Sequence, residues 1–271
     1  MNQKPALTLT ALLCGICGFF LRSYHNRTGY EPGTGLPRNG PFWPLLLLFA
    51  LAAAAVFLLL RSTPKDRAPC RFCTRFATCG DLVPTMLMVG DFLLAASGVW
   101  TVAAVLRDPN SNPAAMVPGI LTVLCAAALF FVISGCIRQV DIPRNLLLVP
   151  VGYYVIQLIL NYRSYSVNPV LERYYVEILA LAALLLTFYK LSAFAFVCAQ
   201  IRQLALCAAL AVIVCLTALA DCTGAMPQAL FFASGALLSL SILMLCRPEG
   251  FTPPGRRLSH FTNHEEDSTD V

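Results

Sequence analysis

The chain has 271 residues, of which 58% are hydrophobic and only 12% are charged, and its formal net charge is +5. A soluble domain carries about 25% charged residues, so this composition excludes a soluble globular protein, a disordered chain and a nucleic-acid-binding protein. It predicts a polytopic membrane protein whose main partner is the lipid bilayer.

Apolar stretches long enough to cross a bilayer as a helix, about 20 residues each, occur eight times along the chain. The sequence therefore predicts an all-α transmembrane helix bundle with eight spans in residues 1–246. A short disordered cytoplasmic tail follows at residues 247–271. The predicted spans are residues 5–21, 41–60, 82–106, 113–137, 143–160, a sixth from near 169 to past 189, 202–219 and 227–246.

The first span also has the basic start and apolar run of a secretory signal, and its cleavage would leave seven spans. The small-residue cleavage pattern is poor, because Phe19, Phe20 and Leu21 follow the two cysteines of this span. We therefore expect a retained helix.

Local signals refine the predicted helix ends. Asn168 is expected to cap the sixth helix, with Pro169 at its first position. Pro150 lies inside the fifth span and predicts a kink. Residues 190–200 leave three alternatives open, because they could extend the sixth helix, begin the seventh or form a turn between them.

The distribution of basic residues predicts the orientation. Twelve Lys and Arg residues fall on the side of the two termini and six on the other side. Because Lys and Arg concentrate in cytoplasmic loops, both termini are expected to be cytoplasmic. Trp43 and Trp100 then lie at outer span ends, as interfacial aromatic residues do. Cys222 is expected to be the cysteine that a reagent reaches from outside.

Asp91 is the clearest candidate functional residue, since an ionisable side chain within a span is costly and is usually functional. Helical rise places it about 13 Å from the start of the third span. Ala95 and Gly98 share its helix face, so we expect Asp91 to point into a helix–helix contact rather than into lipid. Two interpretations remain open: a proton or cation relay, and a hydrogen-bonded structural acid.

Further polar residues collect near the predicted outer surface. Glu31, Glu177, Asp221 and Asn161 could together bind a cation or an amine, and the alternative is the ordinary polarity of solvated loop ends. For Glu177, Arg173 four residues earlier indicates an interfacial ion pair. Asp221 is expected to need a partner or solvent, because a carboxylate at the end of a helix opposes the helix dipole.

The second loop combines a CxxC motif with basic residues. Cys70 and Cys73, together with His260 and His264 of the tail, have the ligand types of a tetrahedral zinc site. A single CxxC motif has low specificity, so we favour a basic loop at residues 61–81 that faces anionic headgroups. We predict no cofactor.

Two short stretches carry a resemblance. One is Leu21-Arg22 followed by the sequence TGYEPGTGLP at residues 28–37, and the other is YSVNP at residues 165–169 followed by Tyr174-Tyr175 and Glu177. They resemble a group of multi-spanning membrane proteins of clostridial-type bacteria to which no activity is attached. The similar span layout covers most of the chain. The resemblance implies a bacterial cytoplasmic membrane and no particular chemistry.

The sequence contains no HExxH, GxSxG or Walker-type motif, so an intramembrane enzyme is the least supported class. Our leading hypothesis is transport or permeation of a small solute or cation, with Asp91 at its centre. The alternative is a non-transporting membrane partner or sensor. It would act on a membrane or cytoplasmic protein through the basic 61–81 loop.

Overall fold

A computed structural model describes residues 3–30, 43–61, 82–107, 115–138, 143–165, 174–196, 200–222 and 224–246. Within these ranges the chain contains eight helices that are long and apolar enough to cross a membrane, and no strands, which confirms the predicted all-α bundle. The helices are α1 (Gln3–Thr28), α2 (Trp43–Arg61), α3 (Leu82–Arg107), α4 (Met116–Arg138), α5 (Leu148–Tyr165), α6 (Tyr175–Ser192), α7 (Ile201–Ala218) and α8 (Met226–Leu245).

Several helix ends differ from the prediction. α1 continues about two turns beyond its predicted end at Leu21, as far as Thr28. α6 begins at Tyr175, and the expected cap at Asn168 and Pro169 lies outside the described residues. Beyond Ser192 the chain forms a 3₁₀ turn, Ala193–Phe196, so the uncertain stretch begins as a tightened extension of α6.

Pro150 lies close to the start of the fifth helix. The fifth span starts with a 3₁₀ turn, Arg144–Leu147, and becomes α-helical at Leu148. Pro150 therefore lies in the first turn of α5, directly after the change from 3₁₀ to α geometry. The kink expected at Pro150 stays a prediction.

α7 and α8 form the centre of the bundle. In the apolar 18-residue stretch of each span, 67% of the residues of the span Ile201–Asp221 and 61% of those of α8 are buried, compared with 22% for α1 and α2. α7 packs against α1, α2, α6 and α8, while α8 also packs along α3, which in turn packs on α4. Large apolar side chains on the outer helices, such as Phe92 and Phe131, are exposed. They face lipid in a membrane, where exposure of apolar groups has no cost.

Glycines permit the closest helix contacts. A Cβ atom on Gly98 of α3 would lie 2.9 Å from the carbonyl oxygen of Gly119 in α4, and a Cβ on Gly119 would lie 3.0 Å from the carbonyl oxygen of Gly98. Gly15 and Gly18 of α1 are similarly close to Leu216 and Thr217 of α7. Small residues that let two backbones approach are typical of helix packing within membranes.

For orientation within the bundle, we name its two ends after a residue at each. The Arg22 end is where α1, α3, α5 and α7 finish and where α8 begins. The Lys190 end is where α4 and α6 finish and where α3 begins.

Candidate functional site

Asp91 lies near the middle of α3 and is only 5% exposed. Its neighbour Gly90 packs against Leu237 and Leu238 of α8, with the Leu238 Cγ atom 3.0 Å from where a glycine Cβ would be. The expectation that Asp91 points into the bundle rather than into lipid is therefore confirmed by its burial. Its Oδ1 atom has no hydrogen-bond partner among the residues that the structure describes.

The surroundings of Asp91 include polar groups from two further helices. Cys125 of α4 and Tyr154 of α5 are both close enough to interact with its charge. Tyr154 is fully buried, and its ring stacks on that of Phe188 in α6 with 5.1 Å between centroids. Within the described ranges its hydroxyl also lacks a hydrogen-bond partner. Two polar groups without hydrogen-bond partners are thus buried within the same part of the bundle, on two helices that both pack against α4.

Next to this pair, a buried hydrogen bond joins α4 to α5. The hydroxyl groups of Thr122 and Tyr153 are 2.8 Å apart, and both side chains are buried. The contact satisfies the polar atoms of both residues, so Tyr153 differs in this respect from the adjacent Tyr154. Sequence reasoning found neither tyrosine as a neighbour of Asp91, because their contact depends on how three helices pack.

At the Arg22 end, a second group of charged residues is buried. Arg22 is 0% exposed, and its Nε atom donates a hydrogen bond to Asp221 Oδ1 at 2.8 Å. Asn26 Nδ2 donates to the same carboxylate oxygen at 2.7 Å. The Arg22 guanidinium also lies over the ring of Tyr175, 5.1 Å from its centroid. The partner that Asp221 was expected to need is therefore Arg22.

The role of Arg22 was missed at the level of sequence because the first span was expected to end at Leu21. A longer α1 places Arg22 inside the helix, and the helical spacing of Arg22, His25 and Asn26 puts all three on one face. His25 is also buried, with Nδ1 3.5 Å from Arg22 Nη1. This polar face within an otherwise apolar helix is the signal that could have identified the site.

Glu177 is buried beside these residues, with 5% of its surface exposed. Tyr165 of α5 donates a hydrogen bond to Glu177 Oε2 at 2.5 Å, and the Tyr165 ring stacks on Tyr174. Glu177 lies in the first turn of α6. The helix dipole favours a carboxylate at that position. Its predicted ion-pair partner, Arg173, lies outside the described residues.

Asn161 is half-buried on α5, between Tyr165 and the half-buried Gln157. The Gln157 Oε1 atom is fully buried and finds no hydrogen-bond partner in the described part of the chain. The structure thus brings Asn161, Glu177 and Asp221 to the same end of the bundle. Glu31 lies outside the described residues, so its predicted participation remains a prediction.

Cys222 is buried rather than accessible, which corrects the expectation from the sequence. Its side chain is 6% exposed, and its thiol donates a weak hydrogen bond to the Ala218 carbonyl oxygen at 3.4 Å. Burial, followed by the nearby charges of Glu177 and Asp221, raises the pKa of this thiol to about 12. A thiol with such a pKa stays protonated at neutral pH and reacts slowly.

Toward the Lys190 end, the interior next to Asp91 becomes apolar. A cavity of about 50 Å³ lies between α3, α4, α6 and α8. Its walls are wholly hydrophobic and include Leu87, Leu129, Ile133, Phe188, Leu238 and Ile242.

The predicted zinc ligands and the basic loop are not tested by this structure. Cys70, Cys73, His260 and His264 lie outside the described residues, as does the loop after Arg61. Among the residues that are described, no group of three or more His, Cys, Asp or Glu side chains could hold a metal ion.

The chain matches no protein-family model, no curated protein and no solved structure. Its architecture is that of a multi-pass membrane protein.

Proposed function

We propose that this multi-pass membrane protein transports a small solute or cation across a bacterial cytoplasmic membrane, with Asp91 as the central ionisable group. The observation that carries the proposal is the buried Asp91 carboxylate, whose Oδ1 atom has no hydrogen-bond partner among the described residues. A carboxylate that only stabilised the fold would have its oxygens satisfied, because an unsatisfied buried polar group is costly.

The neighbourhood of Asp91 also fits a site for a transient ligand. Tyr154 presents a second orphaned hydroxyl to the same region. Five helices contribute to this region. Asp91 lies on α3, Cys125 on α4 and Tyr154 on α5. Phe188 of α6 and Phe231 of α8 pack their rings on Tyr154. Transporters commonly bind their substrates near the middle of the membrane, where helices from different parts of the chain meet.

The orientation forms part of the same proposal. The excess of basic residues on the side of the two termini supports cytoplasmic termini. The Arg22 end of the bundle would then face outward, with the Lys190 end at the cytoplasmic surface.

Uptake assays with the purified protein in liposomes test the proposal. The probes are radiolabelled sodium, rubidium, methylammonium and a mixture of neutral amino acids, together with proton uptake followed by a trapped pH-sensitive dye. We expect the wild-type protein to move at least one probe, and Asp91→Asn to abolish that flux. The matched control is Phe92→Leu, which changes the neighbouring exposed side chain and should leave the flux unchanged.

Two outcomes would overturn the proposal. One is the absence of flux for every probe, and the other is equal flux through the wild-type protein and Asp91→Asn. Size-exclusion profiles of both variants establish that a loss of flux is not a loss of folding.

A further inference from the structure

The inward face of α5 carries a line of polar side chains. Tyr154, Gln157, Asn161 and Tyr165 follow one another at intervals of three or four residues, so they lie along one side of the helix. All four are buried or half-buried. The opposite side of α5 is exposed and mostly apolar, with Val155, Ile156, Ile159 and Tyr162. We call the four residues the α5 polar face, which extends about 16 Å at helical rise.

The α5 polar face runs between the regions of the two buried carboxylates. At one end, the Tyr165 hydroxyl donates to Glu177 Oε2 at 2.5 Å. At the other end, Tyr154 and Asp91 lie on helices that both pack against α4, and Tyr154 is within electrostatic range of Asp91 without a direct hydrogen bond. The α5 polar face therefore leads from the Arg22 end of the bundle to the middle of α3.

Three polar atoms along this line are buried without hydrogen-bond partners among the described residues. They are Asp91 Oδ1, the Tyr154 hydroxyl and Gln157 Oε1. Buried polar atoms in proteins normally bond to protein or to ordered water, and polar sites of this kind hold buried water. The three atoms thus indicate a hydrated line rather than a dry helix contact.

The chemistry around Asp91 favours one kind of cation. Alkali and alkaline-earth ions prefer several oxygen ligands. The titratable groups within electrostatic range of Tyr154 include the thiols of Cys125 and Cys215, which are poor ligands for such ions, and the neighbouring hydroxyls of Thr122 and Tyr153 already bond to each other. A proton needs only one carboxylate oxygen to bind.

We propose that the transported cation is a proton, which passes along the α5 polar face between Glu177 and Asp91. This inference rests on the proposed function. A proton from the solution at the Arg22 end binds the Glu177 carboxylate. The side chains of the α5 polar face hold water molecules that pass a proton inward. Each water molecule gives one proton to the next and receives one from the previous group, so the chain is restored. Asp91 binds it and becomes a neutral carboxylic acid, so one positive charge has moved about 16 Å or more into the bundle.

The opposite side of Asp91 supports access from one end only. Between Asp91 and the Lys190 end lies the apolar cavity of about 50 Å³. An apolar cavity of this kind stays dry, so it offers no water for proton transfer toward the Lys190 end. The Arg22 end is therefore the side from which Asp91 exchanges protons in this proposal.

Several titratable groups face the two carboxylates. Around Asp91 they are Cys125 from α4 and Tyr153 and Tyr154 from α5, with Cys215 of α7 beyond Tyr154. The residues that α8 packs against this part of α3, Leu237 and Leu238, are apolar. Around Glu177 they are Tyr165 and Cys222, and the ion pair of Arg22 with Asp221 lies at the same end of the bundle. The thiols and phenols are neutral at ordinary pH, and the charges of Arg22 and Asp221 offset each other. Proton uptake is therefore expected to follow the two carboxylates.

The test measures proton flux into liposomes with a trapped pH-sensitive dye, under an imposed pH gradient. Tyr154→Phe and Gln157→Leu each remove one polar group of the α5 polar face with little change in volume. We expect each to lower proton flux by about tenfold. The reason is that the loss of one hydrogen bond in the path raises the barrier to proton transfer by roughly the amount that slows a rate tenfold. The matched control is Tyr162→Phe, which removes a phenolic hydroxyl from the exposed side of the same helix and should leave the flux unchanged.

The outcomes separate this inference from the proposed function. If another probe is transported through Asp91 but protons are not, the proton assignment is wrong and the proposed function stands. If protons are transported through Asp91 but Tyr154→Phe and Gln157→Leu have no more effect than Tyr162→Phe, the path along α5 is wrong. If no probe moves at all, the proposed function itself fails. Thermal unfolding of each variant in detergent verifies that the compared proteins are folded.

Discussion

Arg22 and Asp221 form a buried ion pair at one end of the bundle, although 199 residues separate them in the chain. The Nε–Oδ1 distance is 2.8 Å, and the two side chains are 0% and 6% exposed. The pair joins the last turns of α1 to the 3₁₀ turn Leu219–Asp221 that follows α7, the most buried helix of the bundle. It holds α1 in place together with the glycine contacts in the middle of that helix.

Breaking this pair from one side is expected to destabilise the protein strongly. Arg22→Met leaves the Asp221 carboxylate buried without its counter-charge, which costs about 3 kcal/mol or more in comparable cases. The free energy of unfolding, measured by titrating detergent-solubilised protein with a denaturing detergent, should fall by that order. Arg27→Gln is the matched control, because Arg27 is exposed on the same helix and should have little effect.

The double variant Arg22→Met with Asp221→Leu sharpens this prediction. Replacing both charges by apolar groups removes the buried unpaired charge, so its stability should lie closer to the wild-type value than either single variant. Equal stability of Arg22→Met and the wild-type protein would show that the ion pair does not form.

The contact between α3 and α4 depends on the absence of side chains at Gly98 and Gly119. Gly98→Ala would place a methyl group 2.9 Å from a backbone oxygen that cannot move aside. We expect a loss of about 2 kcal/mol in the free energy of unfolding, typical of overpacking. Gly152→Ala is the matched control. No atom lies within 4 Å of its new methyl group, so it should stabilise the helix by up to about 1 kcal/mol.

Cys222 is expected to resist alkylation. Its burial and its raised pKa of about 12 keep the thiolate fraction small at neutral pH. Because the raised pKa leaves the thiol protonated, the rate of modification should increase with pH up to that value. The detergent-solubilised protein is treated with a maleimide, and its increase in mass is measured over time. Peptide digestion then identifies which cysteines were modified. Rapid modification of Cys222 at pH 7 would contradict the buried position.

The orientation of the bundle can be tested with two introduced cysteines. Met226 is 62% exposed at the start of α8, and Arg138 is exposed at the end of α4, on the opposite end of the bundle. In intact cells, a membrane-impermeant maleimide should label Met226→Cys. Arg138→Cys should be labelled only after permeabilisation. The wild-type protein is the background control, and the reverse pattern would place the termini outside.

The number of spans followed from composition and length alone, because a helix must present about 20 apolar residues to cross the hydrocarbon core. The inward direction of Asp91 was also predictable, from the small residues on its face and the cost of a charge in lipid. The helix ends were less predictable. The end of α1 was placed too early because Arg22 was assumed to mark the membrane surface, whereas a buried counter-charge lets it lie inside the bundle.

Helix partners could not be derived from the sequence. In water, one apolar stripe identifies the buried face of a helix, but in lipid both the outer and the inner faces are apolar. The central position of α7 and α8 was therefore not visible in a chain whose spans are all similarly hydrophobic. The sequence by itself determined that this is a membrane protein with eight spans and a carboxylate in the third. Only the tertiary structure decided that Arg22 meets Asp221, that Tyr165 meets Glu177 and that Thr122 meets Tyr153. Each of these contacts joins residues on different elements of the fold, and their positions depend on how the spans pack together.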